Sequence, residues 1–371
     1  MRDGDYEAAF LEVRLGAIAA NYRAYQRLAG PAAVAGMVKA DAYGLGAGMV
    51  APALADAGCD SFFVARLDEG VRLRKLIPNA RIFILDGAAP DAVPALISHK
   101  LIPVLNSLAE IAGWSAAAQT SRRALDCAIH LDTGMNRLGL PGHELGILAG
   151  ESAKRLAGLN LVLIMSHLAS GDEPDSSQNA EQRDRFRTAL AMLPPAPASL
   201  AASGGVFLGR DYLFDMVRPG IGIYGGHPRP GHGQNPFQAT AILSARILQL
   251  RRIDKGESVG YAATFRAKRP SMIATMALGY ADGIPRAAIH RGEVELAGQR
   301  VPFAGRISMD LITLDATDLP DGAVKVGDMA KVFGASVTLD DLAVAAGTNT
   351  YEILTGLTAR VPRHYSNEGA A

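Results

Sequence analysis

"AVAGMVKADAYGLG", residues 33–46, is apolar as far as Val38 and turns polar and glycine-rich from Lys39 onward. A short apolar run is typical of a buried strand, and a polar, glycine-rich segment of the loop that follows it. Comparable runs recur roughly every 20 to 35 residues up to residue 225, with helix-like stretches between them. The runs read AVAGMV, SFFVA, RIFIL, LIPVL, LDCAIHLD, LVLIMSH, ASLAAS and MVRPGIGIYG.

About eight such strand–helix units match the number of a closed (β/α)8 barrel. A doubly wound open sheet shows the same alternation but rarely needs so many repeats. The segment 225–237, "GGHPRPGHGQNPF", breaks the rhythm and is typical of a linker. Beyond it the chain is rich in strand-like runs with turn residues between them, which predicts a mostly antiparallel domain. We therefore expect a TIM-type barrel over residues 1–236, followed by a β-domain over residues 237–371.

The composition excludes several classes of partner. The chain of 371 residues balances 37 Lys and Arg against 37 Asp and Glu, so no charge excess favours nucleic acid or an anionic membrane. No apolar stretch approaches the ~20 residues that span a bilayer, and the charged start "MRDGDYEAAF" does not resemble a signal peptide. Cys59 and Cys127 lack metal-site spacing. We expect a cytoplasmic protein without a metal site.

Chemically useful side chains fall where the predicted barrel strands end. Lys39 ends the first run, Arg137 follows the fifth, and His167 ends the sixth. The carboxyl ends of barrel strands meet at one rim, where active sites of this fold lie. Each residue alone has an ordinary structural explanation, such as a surface cation or a hydrogen-bonded core histidine. Several of them at one predicted rim favour a functional site.

A lysine at the mouth of an apolar barrel suits carbonyl chemistry. Partial desolvation and nearby cations both favour the neutral, nucleophilic amine. Such an amine can form a Schiff base with a carbonyl substrate or with pyridoxal phosphate. The glycine-rich segments "SGG" (203–205) and "RPGIG" (218–222) offer backbone N–H groups for a phosphate, at the end of the barrel where phosphates often bind.

"VKADAYGLG" (38–46) resembles the pyridoxal phosphate signature of the alanine racemases. Further motifs follow in that family's order: LDTGMNRLGL, SHLA, MVRPGIGIYG, VGYAATF, LGYADG, GRISMD and RVPRHY. The resemblance implies the same architecture, a barrel followed by a β-domain. It also implies that the first strand, at about residues 8–14, packs with the second domain.

The resemblance further implies a two-base interconversion of L- and D-alanine. Lys39 would hold the cofactor as an internal aldimine and act on the D face, and Tyr261 of a partner subunit would act on the L face. This arrangement requires a homodimer with shared sites. Arg218 would face the pyridine nitrogen, where a cation disfavours its protonation, and His167 would orient Arg218.

The remaining site residues are also implied by the resemblance. The phosphate contacts would be Tyr43, Ser203, Gly220, Ile221 and Tyr351. The substrate carboxylate would bind Arg137 and the backbone of Met309. The passage that admits substrate would be lined by Asp172, Tyr280, Arg286 and Arg306.

His130 departs from the family's pattern, because many members carry a carbamylated lysine at this position. A neutral imidazole accepts a hydrogen bond but supplies no carboxylate-like charge. Three alternatives remain open beside a racemase that feeds D-alanine to peptidoglycan. They are a racemase of broader specificity, a pyridoxal-phosphate-dependent amino-acid decarboxylase, and a non-catalytic cofactor carrier with the same barrel. Arg218 argues against the decarboxylase, and the β-domain with Tyr261 against the carrier.

Overall fold

The computed structural model describes residues 7–369. Its strands are β1 (Ala9–Arg14), β2 (Ala33–Val34), β3 (Gly36–Met37), β4 (Ser61–Val64), β5 (Arg81–Ile84), β6 (Ile102–Leu105), β7 (Leu125–His130), β8 (Leu159–Met165), β9 (Ala198–Ala202), β10 (Met216–Arg218), β11 (Ala241–Ile253), β12 (Ser258–Val259), β13 (Phe265–Arg266), β14 (Ser271–Met276), β15 (Glu293–Leu296), β16 (Gln299–Pro302), β17 (Ile312–Asp315), β18 (Met329–Phe333) and β19 (Arg363–Ser366). Its helices are α1 (Leu15–Ala29), α2 (Lys39–Tyr43), α3 (Ala47–Asp56), α4 (Leu67–Leu76), α5 (Val93–Ser98), α6 (Leu108–Ser121), α7 (Gly142–Gly150), α8 (Ser152–Arg155), α9 (Ser177–Leu190), α10 (Leu339–Ala346) and α11 (Thr350–Gly356).

The first sheet is the predicted barrel. Its strands are parallel and run in the order β2-β10-β9-β8-β7-β6-β5-β4-β3. The end strands β2 and β3 are two pieces of one strand, separated by Ala35. Because β2 pairs with β10 and β3 pairs with β4, the sheet closes into a barrel. This confirms the (β/α)8 class. One unit differs from the predicted pattern, because two short 3-10 helices, at 205–208 and 210–212, connect β9 to β10 instead of an α-helix.

Continuous apolar runs explain why the barrel strands form. Every residue of β4 and of β6 is buried, with no alternation between an inner and an outer face. Such strands are covered by side chains inside the barrel and by helices outside it. Inside, the rings of Phe63 and Phe83 stack with their centroids 4.4 Å apart.

The second sheet is mostly antiparallel, as predicted, with the order β16-β15-β18-β11-β1-β19 and with β14 and β17 branching from β11. The amino-terminal strand β1 belongs to this sheet, where it pairs antiparallel with β11 and parallel with β19. Strands β12 and β13 form a separate hairpin that carries Tyr261 between them. Buried apolar side chains of both sheets form one continuous core.

Residues 225–240 contain no helix or strand and connect the two sheets. Thr240 donates its hydroxyl to the carbonyl of Tyr224 at 2.7 Å, and Asn21 accepts from the backbone of Gln238 at 2.9 Å. The boundary between 236 and 237 stays a prediction. Across residues 7–369 no helix combines the length and the hydrophobicity needed to cross a membrane.

Candidate active site

Lys39 stands at the carboxyl end of the first barrel strand, at the start of an unusual turn. The four residues Ala40 to Tyr43 all have φ between 51° and 56°, and Gly44 follows at 80°. This segment is therefore one turn of left-handed helix built without glycine, a conformation that L-amino acids disfavour. The turn directs the side chain of Tyr43 into the core, where it is buried.

The surroundings of Lys39 favour the neutral amine. Burial lowers the pKa of its ammonium group, and the nearby Arg137 guanidinium lowers it further. The carboxylates of Glu69 and Asp86 act in the opposite direction. The net shift is downward, as a nucleophilic lysine requires.

Arg218, at the end of β10, is only 2% exposed, and its hydrogen-bond partners among residues 7–369 include no carboxylate. Its guanidinium donates to the Ser199 hydroxyl and, at 2.6 Å, to the carbonyl of Ser166. A longer bond of 3.4 Å reaches the carbonyl of Leu200. Burial lowers the pKa of Arg218 to about 10, so it keeps its charge at neutral pH. The barrel thus holds a permanent cation by neutral groups alone.

His167 follows β8 and lies beside this cation. Its Nδ1 is 3.5 Å from a guanidinium nitrogen of Arg218. Burial, followed by the charge of Arg218, lowers the pKa of His167 to about 3. The imidazole is therefore neutral, and its Nδ1 can accept from the guanidinium.

The loops after β9 and β10 form a cradle of backbone N–H groups. The hydroxyl of Ser203 accepts from the Gly220 N–H at 2.9 Å and from the Gly222 N–H at 3.4 Å. The buried N–H of Ile221 has no protein acceptor within residues 7–369. A Cβ added to Gly220 would overlap the hydroxyl of Tyr43, so only glycine allows this approach. An N–H group without a partner in a glycine cradle suits a phosphate.

Tyrosine rings enclose this cradle. The ring of Tyr43 lies 4.9 Å from that of Tyr224 and 5.6 Å from that of Tyr351, which is 44% exposed on α11. Burial raises the pKa of Tyr351 to about 12, followed by the nearby carboxylate of Asp172. Burial raises the pKa of Tyr43 as well, so the hydroxyls of Tyr43 and Tyr351 are both protonated at neutral pH and able to donate hydrogen bonds.

His130, at the end of β7, is tied to a second polar side chain. Its Nδ1 lies 2.9 Å from Oδ1 of Asn106, whose amide nitrogen donates to the carbonyls of Leu85 and Val104. Because those bonds fix the amide, Nδ1 of His130 is the donor and Nε2 is left as an acceptor. Burial, then Arg218, lowers the pKa of His130 to about 4. The charge of Arg137 lowers this pKa as well.

A second group of predicted residues lies on the exposed surface of the β-domain. Tyr261 is 70% exposed and Met309 is 53% exposed. The guanidinium of Arg286 stands 5.6 Å over the ring of Tyr280, and Arg306 is exposed with its backbone beside Gly260. Met309 accepts from the backbone of Ala281, which joins it to the Tyr280 turn.

The chain therefore brings together one part of the predicted site and leaves the other part apart. The barrel group contains Lys39, Tyr43, Arg137, His167, Asp172, Ser203, Arg218, Gly220, Ile221 and Tyr351. The surface group contains Tyr261, Tyr280, Arg286, Arg306 and Met309. Within residues 7–369 no side chain of the surface group hydrogen-bonds to Lys39, His167 or Arg218.

Sequence reasoning missed three residues that hold the site residues in place. Ser199 bonds to Arg218, Asn106 to His130, and Glu69 to the backbone next to Lys39. Ser199 lies on β9 and Ser203 directly follows that strand, so the period of two would have indicated that both face the barrel interior. Glu69 is an acid in the first turn of a helix, a position usually explained by capping alone.

Two family models together match most of the chain. The model "Alanine racemase, N-terminal domain" matches residues 13–228, and "Alanine racemase, C-terminal domain" matches residues 240–365. Among curated relatives, "Alanine racemase" of Rhodospirillum rubrum is 48% identical over 363 residues, which cover 97% of this chain and 96% of that protein. "Alanine racemase, catabolic" of Agrobacterium fabrum is 44% identical over 360 residues, covering 97% of this chain and 92% of that one.

Solved structures match equally well. Alanine racemase from Bartonella henselae, solved with covalently bound pyridoxal phosphate, superposes with a TM-score of 0.92 at 40% identity, covering 97% of this chain and 100% of that one. The biosynthetic alanine racemase of Pseudomonas aeruginosa gives 0.91 at 35% identity, with the same coverage. This chain belongs to the alanine racemase family, a family of pyridoxal-phosphate-dependent isomerases.

Proposed function

We propose that this protein interconverts L- and D-alanine with pyridoxal phosphate, Lys39 and Tyr261 acting as the two bases. The observation that carries the proposal is a half-buried lysine with a lowered pKa at the same barrel rim as a glycine cradle and a buried arginine held by uncharged groups. When bound, pyridoxal phosphate withdraws electrons from the amino acid and so acidifies its α C–H bond. The protein then has to bind and orient the cofactor and the amino acid, and to move one proton.

The barrel group holds the cofactor. Lys39 would bind it covalently, and the N–H groups of Gly220 and Ile221 would bind its phosphate together with the hydroxyls of Ser203, Tyr43 and Tyr351. Arg218 would face the ring nitrogen and keep it unprotonated, since a second positive charge beside a permanent cation is unfavourable. This would limit electron withdrawal and favour rapid return of the proton over side reactions.

The proton moves on two opposite faces of the substrate. Nζ of Lys39 removes or returns it on the D face, and the phenol oxygen of Tyr261 does so on the L face. Arg137 and the backbone of Met309 bind the carboxylate of alanine, which fixes the α carbon between the two bases.

Tyr261 acts in the site of a partner subunit, in a homodimer. The supporting observation is the exposure of Tyr261 and Met309 in the single chain, since large apolar groups that are exposed together are typical of an interface. Tyr280, Arg286 and Arg306 of the same surface, with Asp172 of the barrel, line the passage that admits alanine.

We assign the product to peptidoglycan synthesis in the cytoplasm. Relatives carry both descriptions, since those of Agrobacterium fabrum and Mesorhizobium japonicum are named catabolic and the Pseudomonas aeruginosa structure biosynthetic. Deletion of the gene decides between the roles. Dependence of growth on added D-alanine supports the biosynthetic role, and loss of growth on L-alanine alone supports the catabolic one.

Trapping the covalent bond tests the assignment of Lys39. The protein with bound cofactor is reduced with borohydride, digested and mapped by mass spectrometry. We expect the pyridoxyl group on Lys39, because this lysine is partly buried, has a lowered pKa and stands at the carboxyl end of a barrel strand. A pyridoxyl group on any other lysine would refute the proposed site.

A further inference from the structure

The turn that carries Lys39 has an energetic cost that its own sequence does not offset. Ala40 to Tyr43 are all left-handed, at roughly 1–2 kcal/mol per residue relative to the right-handed form. Glycine appears only at Gly44, after the turn. A turn of this kind persists only where the surrounding structure holds it.

Glu69 holds the turn at its first residue. Its Oε1 accepts a hydrogen bond from the backbone N–H of Ala40, the residue next to Lys39, at 2.6 Å. The other oxygen, Oε2, accepts from the N–H groups of Ala65 at 2.9 Å and Arg66 at 3.0 Å. One carboxylate thus joins the turn after β3 to the loop after β4, the neighbouring barrel strand.

The charge of Glu69 is also part of the site. A carboxylate makes stronger bonds to N–H groups than a neutral acceptor does. It opposes the lowering of the pKa of Lys39 by burial and by Arg137. Glu69 therefore affects Lys39 in two ways, through the backbone position and through the electrostatic field.

A second glutamate makes the same kind of backbone contact between neighbouring strand–helix units, at a place without site residues. Glu144, in the first turn of α7, accepts from the backbone N–H of Leu108 at 2.8 Å, at the start of α6. Like Glu69, it is partly buried and reaches from one strand–helix unit to the preceding one. Leu108 is not a site residue, so Glu144 provides a matched control.

We propose that Glu69 is a positioning residue for the reaction, which fixes the left-handed turn and thereby aims Lys39 at the cofactor and substrate. The proposal rests on the assignment of Lys39 as the cofactor lysine. It predicts an effect of Glu69 that a helix cap elsewhere in the barrel does not have.

The test compares Glu69→Gln with Glu144→Gln, both as the protein with bound cofactor. Glutamine keeps the shape, but its NH2 group cannot accept a hydrogen bond and the charge is lost. In Glu69→Gln we expect amide hydrogen exchange of residues 40–46 to accelerate about tenfold, because a charge-assisted bond closes the turn. We expect kcat to fall about tenfold with little change in KM. In Glu144→Gln both quantities should match the wild type.

A spectroscopic titration separates positioning from general destabilisation. Loss of the carboxylate removes an influence that raises the pKa of Lys39. The midpoint of the pH-dependent cofactor absorbance should therefore shift to lower pH in Glu69→Gln and stay unchanged in Glu144→Gln. Glu69→Asp keeps the charge and shortens the reach, so it should retain the midpoint but not the slow exchange.

Two results would overturn the proposal. The first is wild-type exchange of residues 40–46 in Glu69→Gln, and the second is an equal loss of kcat in the two glutamine variants. A pyridoxyl group mapped to another lysine would instead refute the assignment of Lys39, whereas the exchange experiment would still report on the turn. If Glu69→Gln does not fold, Glu69→Asp decides the question through exchange alone.

Discussion

His167 and His130 are two imidazoles that the barrel keeps neutral. Their pKa values are lowered from 6.5 to about 3 and about 4, in both cases mainly by burial and then by Arg218. A neutral imidazole can accept a hydrogen bond from a guanidinium, which an imidazolium cannot. The cation at Arg218 is thus compatible with its neighbours only while both histidines stay unprotonated.

Acid should therefore destabilise the protein through these two residues. Below about pH 6.5 each histidine binds a proton in the unfolded chain but not in the native one, so the free energy of unfolding falls as pH falls. Each contributes about 1.4 kcal/mol per pH unit until its native pKa is reached. Between pH 6 and 5, the free energy of unfolding measured with urea should fall less steeply with pH in His167→Gln than in the wild type, by about this amount. The exposed His143→Gln is the control, and an unchanged slope in His167→Gln would contradict the prediction.

Some site residues could be predicted from the sequence and others could not. The rim positions of Lys39 and His167 follow directly from strand ends, because parallel strands bring those ends to one rim. Arg218 was identified through the family resemblance. The bonds from Ser199 to Arg218 and from Asn106 to His130 could not be predicted, since the face on which a residue lies does not say which side chain of another strand it meets. Their roles depend on which strands are neighbours in the closed barrel.

At the scale of elements, strand β19 holds the Lys39 turn from the side of the β-domain. Arg363 donates to the carbonyl of Gly44 at 3.2 Å and to those of Thr358, Val361 and Leu357 at 2.6, 2.5 and 2.9 Å. The hydroxyl of Tyr365 donates to the carbonyl of Leu45 at 3.1 Å. The motifs VKADAYGLG and RVPRHY are thus two sides of one contact between the sheets.

Replacement of Arg363 should weaken this contact. In Arg363→Met the apolar stem remains but four carbonyls lose their donor, which should lower the free energy of unfolding by about 3 kcal/mol. Urea denaturation measures the loss. Arg252→Met, at an exposed position on β11 where the guanidinium forms an ion pair with exposed Asp321, should change stability by less than about 0.5 kcal/mol. Equal effects of the two substitutions would show that Arg363 has no special role.

The left-handed turn itself could not be predicted from the sequence. The residues KADAY carry no glycine and favour an ordinary right-handed helix by propensity. The turn forms because Glu69, Arg363 and the packing of Tyr43 outweigh that local preference. The barrel strands, in contrast, were predictable because short continuous apolar runs are typical of parallel strands buried on both faces.

At the scale of the whole molecule, the single chain contains only part of the proposed site. In the proposed mechanism the barrel group supplies one base, Lys39, and the other base, Tyr261, lies on an exposed turn of the β-domain. The sequence indicated both residues through the family resemblance, but no local pattern indicates that they meet. We propose that they meet only in an assembly of two chains, in which Tyr261 of one chain reaches the barrel of the other.

Mixed dimers test this central claim most directly. Lys39→Ala and Tyr261→Phe should each be inactive, since each removes one of the two bases from every site. When they are refolded together, a heterodimer has one site with Lys39 and Tyr261 both intact and one site with neither. D-alanine formed from L-alanine, measured by chiral chromatography, should recover to about half of the wild-type rate per heterodimer. No recovery, with heterodimers shown to form, would mean that both bases come from one chain, and the shared site would be wrong.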